Sequence, residues 1–242
     1  MWEAFAWGII AGSALVLGGL LALRFRISDR LLGLVMAFGA GVLISAISYE
    51  LVAEAFEAAG GGGEVAGGLF AGAFAFYAGD VCIGRMGGAD RKRPGGQQAQ
   101  GSGLAITLGI VLDGIPETAV IGLSLVEGGV SAAMITAVFL SNLPEAIAAT
   151  TGLSAARWPR GRILALWLAV TAVSGISALA GYGLLSHGSP GTVAFVQAFA
   201  GGALLTMLAD TLMPEAYEHG GKLVGLATTL GFALAFAITS LQ

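Results

Sequence analysis

Apolar residues run along this chain in long blocks, each about as long as the ~20 residues a helix needs to cross the hydrocarbon core of a bilayer. The blocks fall at roughly 4–23, 31–57, 65–86, 103–126, 130–155, 162–186, 191–214 and 222–241. Short polar breaks separate them: Arg24 to Arg30, Gly60 to Glu64, Glu127 to Gly129, Arg157 to Arg162, His187 to Pro190 and Glu218 to Lys222. Only the break from 87 to 102 is long. Its core, from Ala89 through Asp90, Arg91, Lys92 and Arg93 to Gln98, reads as a flexible, solvated linker. The pattern predicts an all-α polytopic membrane protein, a single transmembrane domain over 1–242 with eight transmembrane helices.

Two of the blocks are interrupted in matching ways. Leu112-Asp113-Gly114-Ile115-Pro116-Glu117 lies in the middle of the fourth, and Leu140-Ser141-Asn142-Leu143-Pro144-Glu145 in the middle of the fifth. A carboxylate at such a depth costs about 2.5–3.5 kcal/mol on insertion scales. A proline in a helix also leaves the carbonyl four residues earlier without its donor, here Leu112 and Leu140. Asp113 and Glu117, four apart, share one helix face, and Asn142 and Glu145, three apart, share another. At about 1.5 Å rise per residue both faces reach mid-membrane, and the short break at 127–129 makes the two helices antiparallel neighbours. An oxygen-rich pocket is expected, with three carboxylates, an amide and two released carbonyls. No Lys or Arg falls inside a block except at its ends, where Arg85, Arg162 and Lys222 lie, so the expected counter-charge is a bound cation or protons. The plainer reading is a pair of protonated, hydrogen-bonded glutamates that lock two kinked helices together.

Composition strengthens the membrane reading. The chain is 56% hydrophobic and 11% charged, against about 25% charged in soluble domains, and its mean hydropathy is +0.86. Its 40 glycines suit close helix packing in lipid and also allow a homodimer. All eleven basic residues lie in or, for Arg85, just before the first, third, fifth and seventh breaks. The positive-inside rule then places those breaks, including 87–102, in the cytoplasm and both termini outside, in a plasma or inner membrane. The N-terminus lacks a basic leader and a small-residue cleavage site, so the first block reads as a retained span. One cysteine, Cys82, and two histidines exclude an intrachain disulfide and a His/Cys zinc cage. There is no phosphate loop, dinucleotide fingerprint, nucleic-acid patch or serine with an adjacent histidine, so neither an enzyme, an organic cofactor nor a nucleic-acid partner is expected.

An internal repeat is also visible. Ala37-Phe38-Gly39-Ala40-Gly41-Val42-Leu43 recurs as Ala198-Phe199-Ala200-Gly201-Gly202-Ala203-Leu204, and the same offset aligns Glu54 and Glu57 with Glu215 and Glu218. The second and seventh blocks are five crossings apart and run in opposite directions, which marks an inverted-topology repeat. Polar residues flank the central site along these two blocks. Glu50, Glu54 and Glu57 form a stripe on the second, expected on the outer approach, with Glu57 read as a solvated helix end. Asp210 and Glu215 lie on the seventh, expected on the inner approach, with Glu218 and His219 read as an interfacial end. Asp80 is read as a local partner of Arg85.

These features together resemble the ZIP family of divalent-metal transporters. The resemblance covers nearly the whole chain: eight spans, outside termini, a long loop after the third span, and Pro-Glu motifs on the fourth and fifth. Glu117 and Glu145 fall on the family's metal-binding glutamates, Asp113 stands where it has a histidine, and Asn142 where it has an acidic ligand. Tyr49-Glu50-Leu51-Val52-Ala53-Glu54 and Asp210-Thr211-Leu212-Met213-Pro214-Glu215 are similar to its second- and seventh-span motifs. The resemblance implies a 3+2+3 arrangement in which helices 1–3 and 6–8 are inverted repeats. It implies transport of a divalent metal (Zn, Mn or Fe class) as substrate, with Asp113, Glu117, Asn142 and Glu145 as ligands and Glu50, Glu54, Ser141, Ser177, Asp210 and Glu215 along the pathway. The chain departs from the family where both motif histidines are missing, where Gly114 replaces an asparagine, and where Ser177 replaces a sixth-span glutamate. An all-oxygen site suits Mn²⁺, Mg²⁺ or Fe²⁺. Alternative readings are proton or other cation transport, or a ZIP-like protein that binds metal for sensing or structure.

Overall fold

The computed structural model describes residues 1–60, 62–93, 103–126, 129, 132–186 and 188–240. Among them the backbone is almost wholly helical and contains no strand. In chain order the helices are α1 (Trp2–Arg24), α2 (Asp29–Ala59), α3 (Gly63–Gly88), α4 (Gly103–Ser124), α5 (Ala132–Ala155), α6 (Arg160–Leu185), α7 (190–220) and α8 (Val224–Thr239).

Among the described residues, six stretches are long and apolar enough to cross a membrane: α1, α2, α3, α4, most of α6, and Pro190–Thr239. The last has 50 residues, about 75 Å of helix against a hydrocarbon core of about 30 Å. It does not run straight. A 3₁₀ turn at Gly221–Leu223 separates α7 from α8, and Gly221 takes φ 63° there, a left-handed conformation that glycine adopts without a Cβ clash. The fold thus agrees with a multi-pass membrane protein. Its outer surface agrees too: Phe70 is 79% exposed and Phe74 71% exposed on α3, which water would penalise and lipid does not.

Helix α1 packs on α5 and α6, α4 on α6, α2 on α8, and α3 on α7. The last two contacts are built alike. A Cβ on Gly41 of α2 would fall on the carbonyl of Thr228, and one on Gly231 of α8 on that of Phe38. Across the other pair, Gly72 meets the carbonyl of Phe199, and Gly202 that of Leu69. Such backbone-to-backbone contact tolerates no side chain. Helices α2 and α7 also share a defect: π-helical turns occupy Ile47–Ala53 and Leu208–Leu212. They begin at the same offset as the Ala37/Ala198 repeat in the sequence. The acidic residues Glu50 and Asp210 fall inside these turns, a common location for functional side chains.

Candidate functional site

Both prolines lie inside continuous helices, Pro116 in α4 and Pro144 in α5. The polar groups around them are withdrawn from the surface: Asp113, Glu117, Ser141, Asn142 and Glu145 are all buried. The two helices touch here. Ser141 Oγ lies 3.2 Å from Glu117 Oε1, to which it donates, and 3.0 Å from the carbonyl oxygen of Val138. Ser177 of α6 donates to the carbonyl of Ile115 at 2.9 Å, fixing α4 from its other side. The carbonyl released by Pro144, that of Leu140, lies against Gly39 of α2.

The site contains two groups that the sequence placed elsewhere. Gly87, at φ 94°, breaks the end of α3 and turns the chain back toward α4. The following residues, Ala89 to Arg93, form a strap whose basic side chains enter the bundle. Arg91 is 1% exposed. Its Nε and Nη2 donate to the two carboxylate oxygens of Asp113 at 2.8 and 2.9 Å, and Nη2 also reaches Asp80 at 2.7 Å. A Cβ on Gly109 would strike the Arg91 side chain, so that glycine leaves the guanidinium its room. Lys92 is 6% exposed. Its ammonium lies between the two motif helices, 3.0 Å from Glu145 Oε2 and 3.3 Å from Asp113 Oδ2, and 3.5 Å from the Thr211 hydroxyl of α7.

Three expectations are corrected by this arrangement. The counter-charge of the buried carboxylates is supplied by the chain itself: Asp80, Arg91, Asp113, Lys92 and Glu145 form one run of alternating charge. The linker is not solvated over Arg91 and Lys92, although Ala89 and Arg93 are exposed; residues 94 to 98 lie outside the described residues. Asp80 pairs with Arg91 rather than Arg85. Burial alone favours the neutral form of a basic group, but the carboxylates more than offset it. Asp113 and Glu145 therefore hold the Lys92 ammonium above its ordinary pKa, and Asp113 and Asp80 hold the Arg91 guanidinium above its own.

The strap leaves part of the site unanswered. Glu117 touches no basic group among the described residues, and its Oε2 is buried without a hydrogen-bond partner. Glu145 Oε1 and Asn142 Nδ2 are likewise unpaired. With Lys92 seated among them the donors do not close into a cage: among the described residues no three His, Cys, Asp or Glu side chains converge as a metal site. A cavity of about 10 Å³ lies beside the ammonium, lined by Asp113, Asn142, Glu145 and Trp167, roughly the room for one water. On the other side of the strap a cavity of about 90 Å³ is lined by Arg91, Lys92, Arg93, Asp210, Thr211 and Glu215. Lys92 is a wall of both.

The flanking residues divide. Glu215 is buried, 3.8 Å from Arg93 Nε and 3.5 Å from His219 Nδ1, and exposed Asp210 lies on the same cavity, so α7 adjoins the strap. Glu50 is buried and accepts from Thr239 of α8 at 2.9 Å, whereas Glu54 is exposed on the surface of α2. Neither joins the strap. Arg91 and Lys92 are the functional residues missing from the expected set. Their signal was the run Arg91-Lys92-Arg93 close behind a span, opposite carboxylates that lacked a partner. Compared with models of known protein families, the chain matches none, and no curated protein matches it.

Proposed function

We propose that this protein is a ZIP-like transporter that passes a divalent metal cation across a cell membrane through the seat between α4 and α5. The observation that carries the reading is the Lys92 ammonium, held by one carboxylate from each motif helix, Asp113 and Glu145. That is a seat for a cation, filled in this state by a tethered one. The unpaired oxygens of Glu117 and Glu145 are further acceptors for an ion that replaces it. Oxygen donors favour Mn²⁺ or Fe²⁺ over softer ions and still accept Zn²⁺.

The transport plan follows from the same features. Helices α1 to α8 make eight crossings with both termini outside, and the strap closes the cytoplasmic side. The paired π-turns of α2 and α7 and the glycine crossings of α2–α8 and α3–α7 support an inverted repeat of helices 1–3 and 6–8 around α4 and α5. Rocking of the repeats against that pair gives alternating access. Metal enters past Glu50, exchanges with Lys92 at Asp113, Glu117, Asn142 and Glu145, and leaves past Asp210 and Glu215.

One observation favours a second reading. In the alternating run from Asp80 to Glu145 every charge has an opposite partner within the chain, as in a permanent structural network. A non-transporting membrane protein is then expected. Flux in liposomes decides between the two, measured over Zn, Mn, Fe, Co, Cd and Mg for wild type, Lys92→Gln and Glu145→Gln. The transport reading requires saturable flux of at least one metal in wild type or Lys92→Gln, and its loss in Glu145→Gln. No flux in the first two proteins, or undiminished flux in the third, refutes it.

A further inference from the structure

A second charged site lies at the far end of α1, away from the carboxylate seat. Helix α1 stops at Arg24, and Phe25 leaves it in an extended conformation. Helix α5 stops at Ala155 and α6 starts at Arg160, behind Pro159. These three ends enclose a cavity of about 440 Å³ lined by Arg24, Arg26 and Arg160 together with Leu23, Ser154 and Trp158. It is the roomiest of the cavities described here.

The charge in this cavity is unbalanced. Among the described residues no acidic residue lines it, and none of the three arginines forms an ion pair. Arg160 and Arg162 also occupy the first turn of α6, which has no side-chain cap and no acidic residue. Basic groups there face the positive end of the helix dipole, the unfavourable sign. Arg162 stacks on the Trp158 ring at 3.9 Å, which steadies one wall. Three like charges and a helix N-terminus around one open volume are stabilised by an anion.

The surroundings select its kind. The cavity sits where apolar helices end, at the level of lipid headgroups, and its remaining wall is apolar (Ala22, Leu23, Phe25 and Trp158). Arginine forks match phosphate oxygens in pairs, tryptophan favours the headgroup layer, and basic pockets between membrane helices take anionic headgroups. We infer that the ends of α1, α5 and α6 form a binding site for the phosphate headgroup of an anionic phospholipid, with Arg24, Arg26 and Arg160 as its ligands and Trp158 beside the glycerol and upper acyl chains.

The test uses the full chain in a neutral detergent, with retained lipid read by native mass spectrometry and the unfolding midpoint read by thermal shift. Added phosphatidylglycerol is expected to be retained and to raise the midpoint, whereas phosphatidylcholine at the same concentration does neither. Arg26→Gln with Arg160→Gln is expected to weaken phosphatidylglycerol binding about tenfold or more, since each lost hydrogen bond to a charged group is worth roughly 1 kcal/mol or more. Arg160→Gln alone reads the same quantity if the double variant does not fold. Arg85→Gln, a basic residue outside the cavity, is expected to leave binding unchanged. Equal stabilisation by inorganic phosphate alone makes this a free-phosphate site and overturns the lipid assignment. An equal loss in Arg85→Gln, or no loss in the cavity variants, reduces the effect to diffuse surface charge and overturns the site.

Discussion

Replacing Lys92 by glutamine is the sharpest perturbation of the proposed seat. The variant keeps most of the side-chain length and two N–H donors but removes the charge between Asp113 and Glu145. The lost contacts are at 3.0 and 3.3 Å, and each hydrogen bond to a charged group is worth about 1.5–3 kcal/mol. Removing one partner of a buried pair costs about 3–5 kcal/mol, because the other charge is left uncompensated. Arg91 still binds Asp113 by its fork, so a net loss of about 3 kcal/mol in the strapped state is expected, the lower end of that range. A ligand that must first displace the strap binds more weakly by the same factor. Lifting about 3 kcal/mol of closure raises apparent metal affinity by up to about 100-fold, at 1.4 kcal/mol per tenfold.

The assay pairs calorimetric titration of Zn²⁺ and Mn²⁺ into purified protein with the unfolding midpoint of the apo and loaded forms. Metal-free Lys92→Gln is expected to unfold below wild type, and metal at about 100 times its Kd to return about 2.7 kcal/mol. The pH dependence has a definite sign. Lys92 is held above its ordinary pKa, so its contribution is complete below the usual lysine value of about 10.4. It disappears only as pH rises through the higher folded value. Between about pH 7 and pH 9.5 loss of the lysine charge therefore contributes nothing to strap release. If Lys92→Gln binds divalent metal no better than wild type, and metal does not restore its midpoint, Lys92 does not occupy a cation seat.

Two further outcomes follow from the packing. Glu117→Gln removes a buried carboxylate that has no basic partner and accepts only from Ser141 among the described residues; the apo midpoint should hold or rise, since the desolvation of a charge is lifted, while metal flux is lost, and a clear fall in the midpoint would instead assign Glu117 to structure. Gly72→Val drives a side chain into the carbonyl of Phe199 and should cost about 1–3 kcal/mol or more, whereas Gly183→Ala on α6 meets nothing within 4 Å and should stabilise by up to about 1 kcal/mol; equal midpoints for the two would contradict the close α3–α7 crossing.

The helices were legible because their signal is physical and local. A run such as Gly103–Ser124 must satisfy its own backbone in lipid, and only a helix does so. That the two Pro-Glu motifs meet was legible too, since the short break at 127–129 makes their helices neighbours; the hydrogen bond from Ser141 to Glu117 was not. The strap was not, because composition contradicts its position. Ala89-Asp90-Arg91-Lys92-Arg93-Pro94 has the charge and Pro/Gly content of a solvated loop, yet Arg91 and Lys92 are buried. What places them there is long-range: a left-handed turn at Gly87, space over Gly109, and carboxylates that need a partner.

The charges in the seat also bear on what replaces Lys92. With all four ionised, the carboxylates of Asp80, Asp113, Glu117 and Glu145 outnumber Arg91 and Lys92 by two. A monovalent ion exchanged for Lys92 keeps that excess and gains only freedom from the tether. A divalent ion exchanged for Lys92 alone, with Arg91 still on Asp113, halves it. The unpaired oxygens of Glu117 and Glu145 are the atoms through which the extra charge is neutralised, and an excess negative charge in a low-dielectric site is the costlier state. On the proposed transport reading the lysine is therefore an under-charged occupant of the seat. That gives a doubly charged ion the differential affinity it needs to open the strap, and a singly charged ion lacks it.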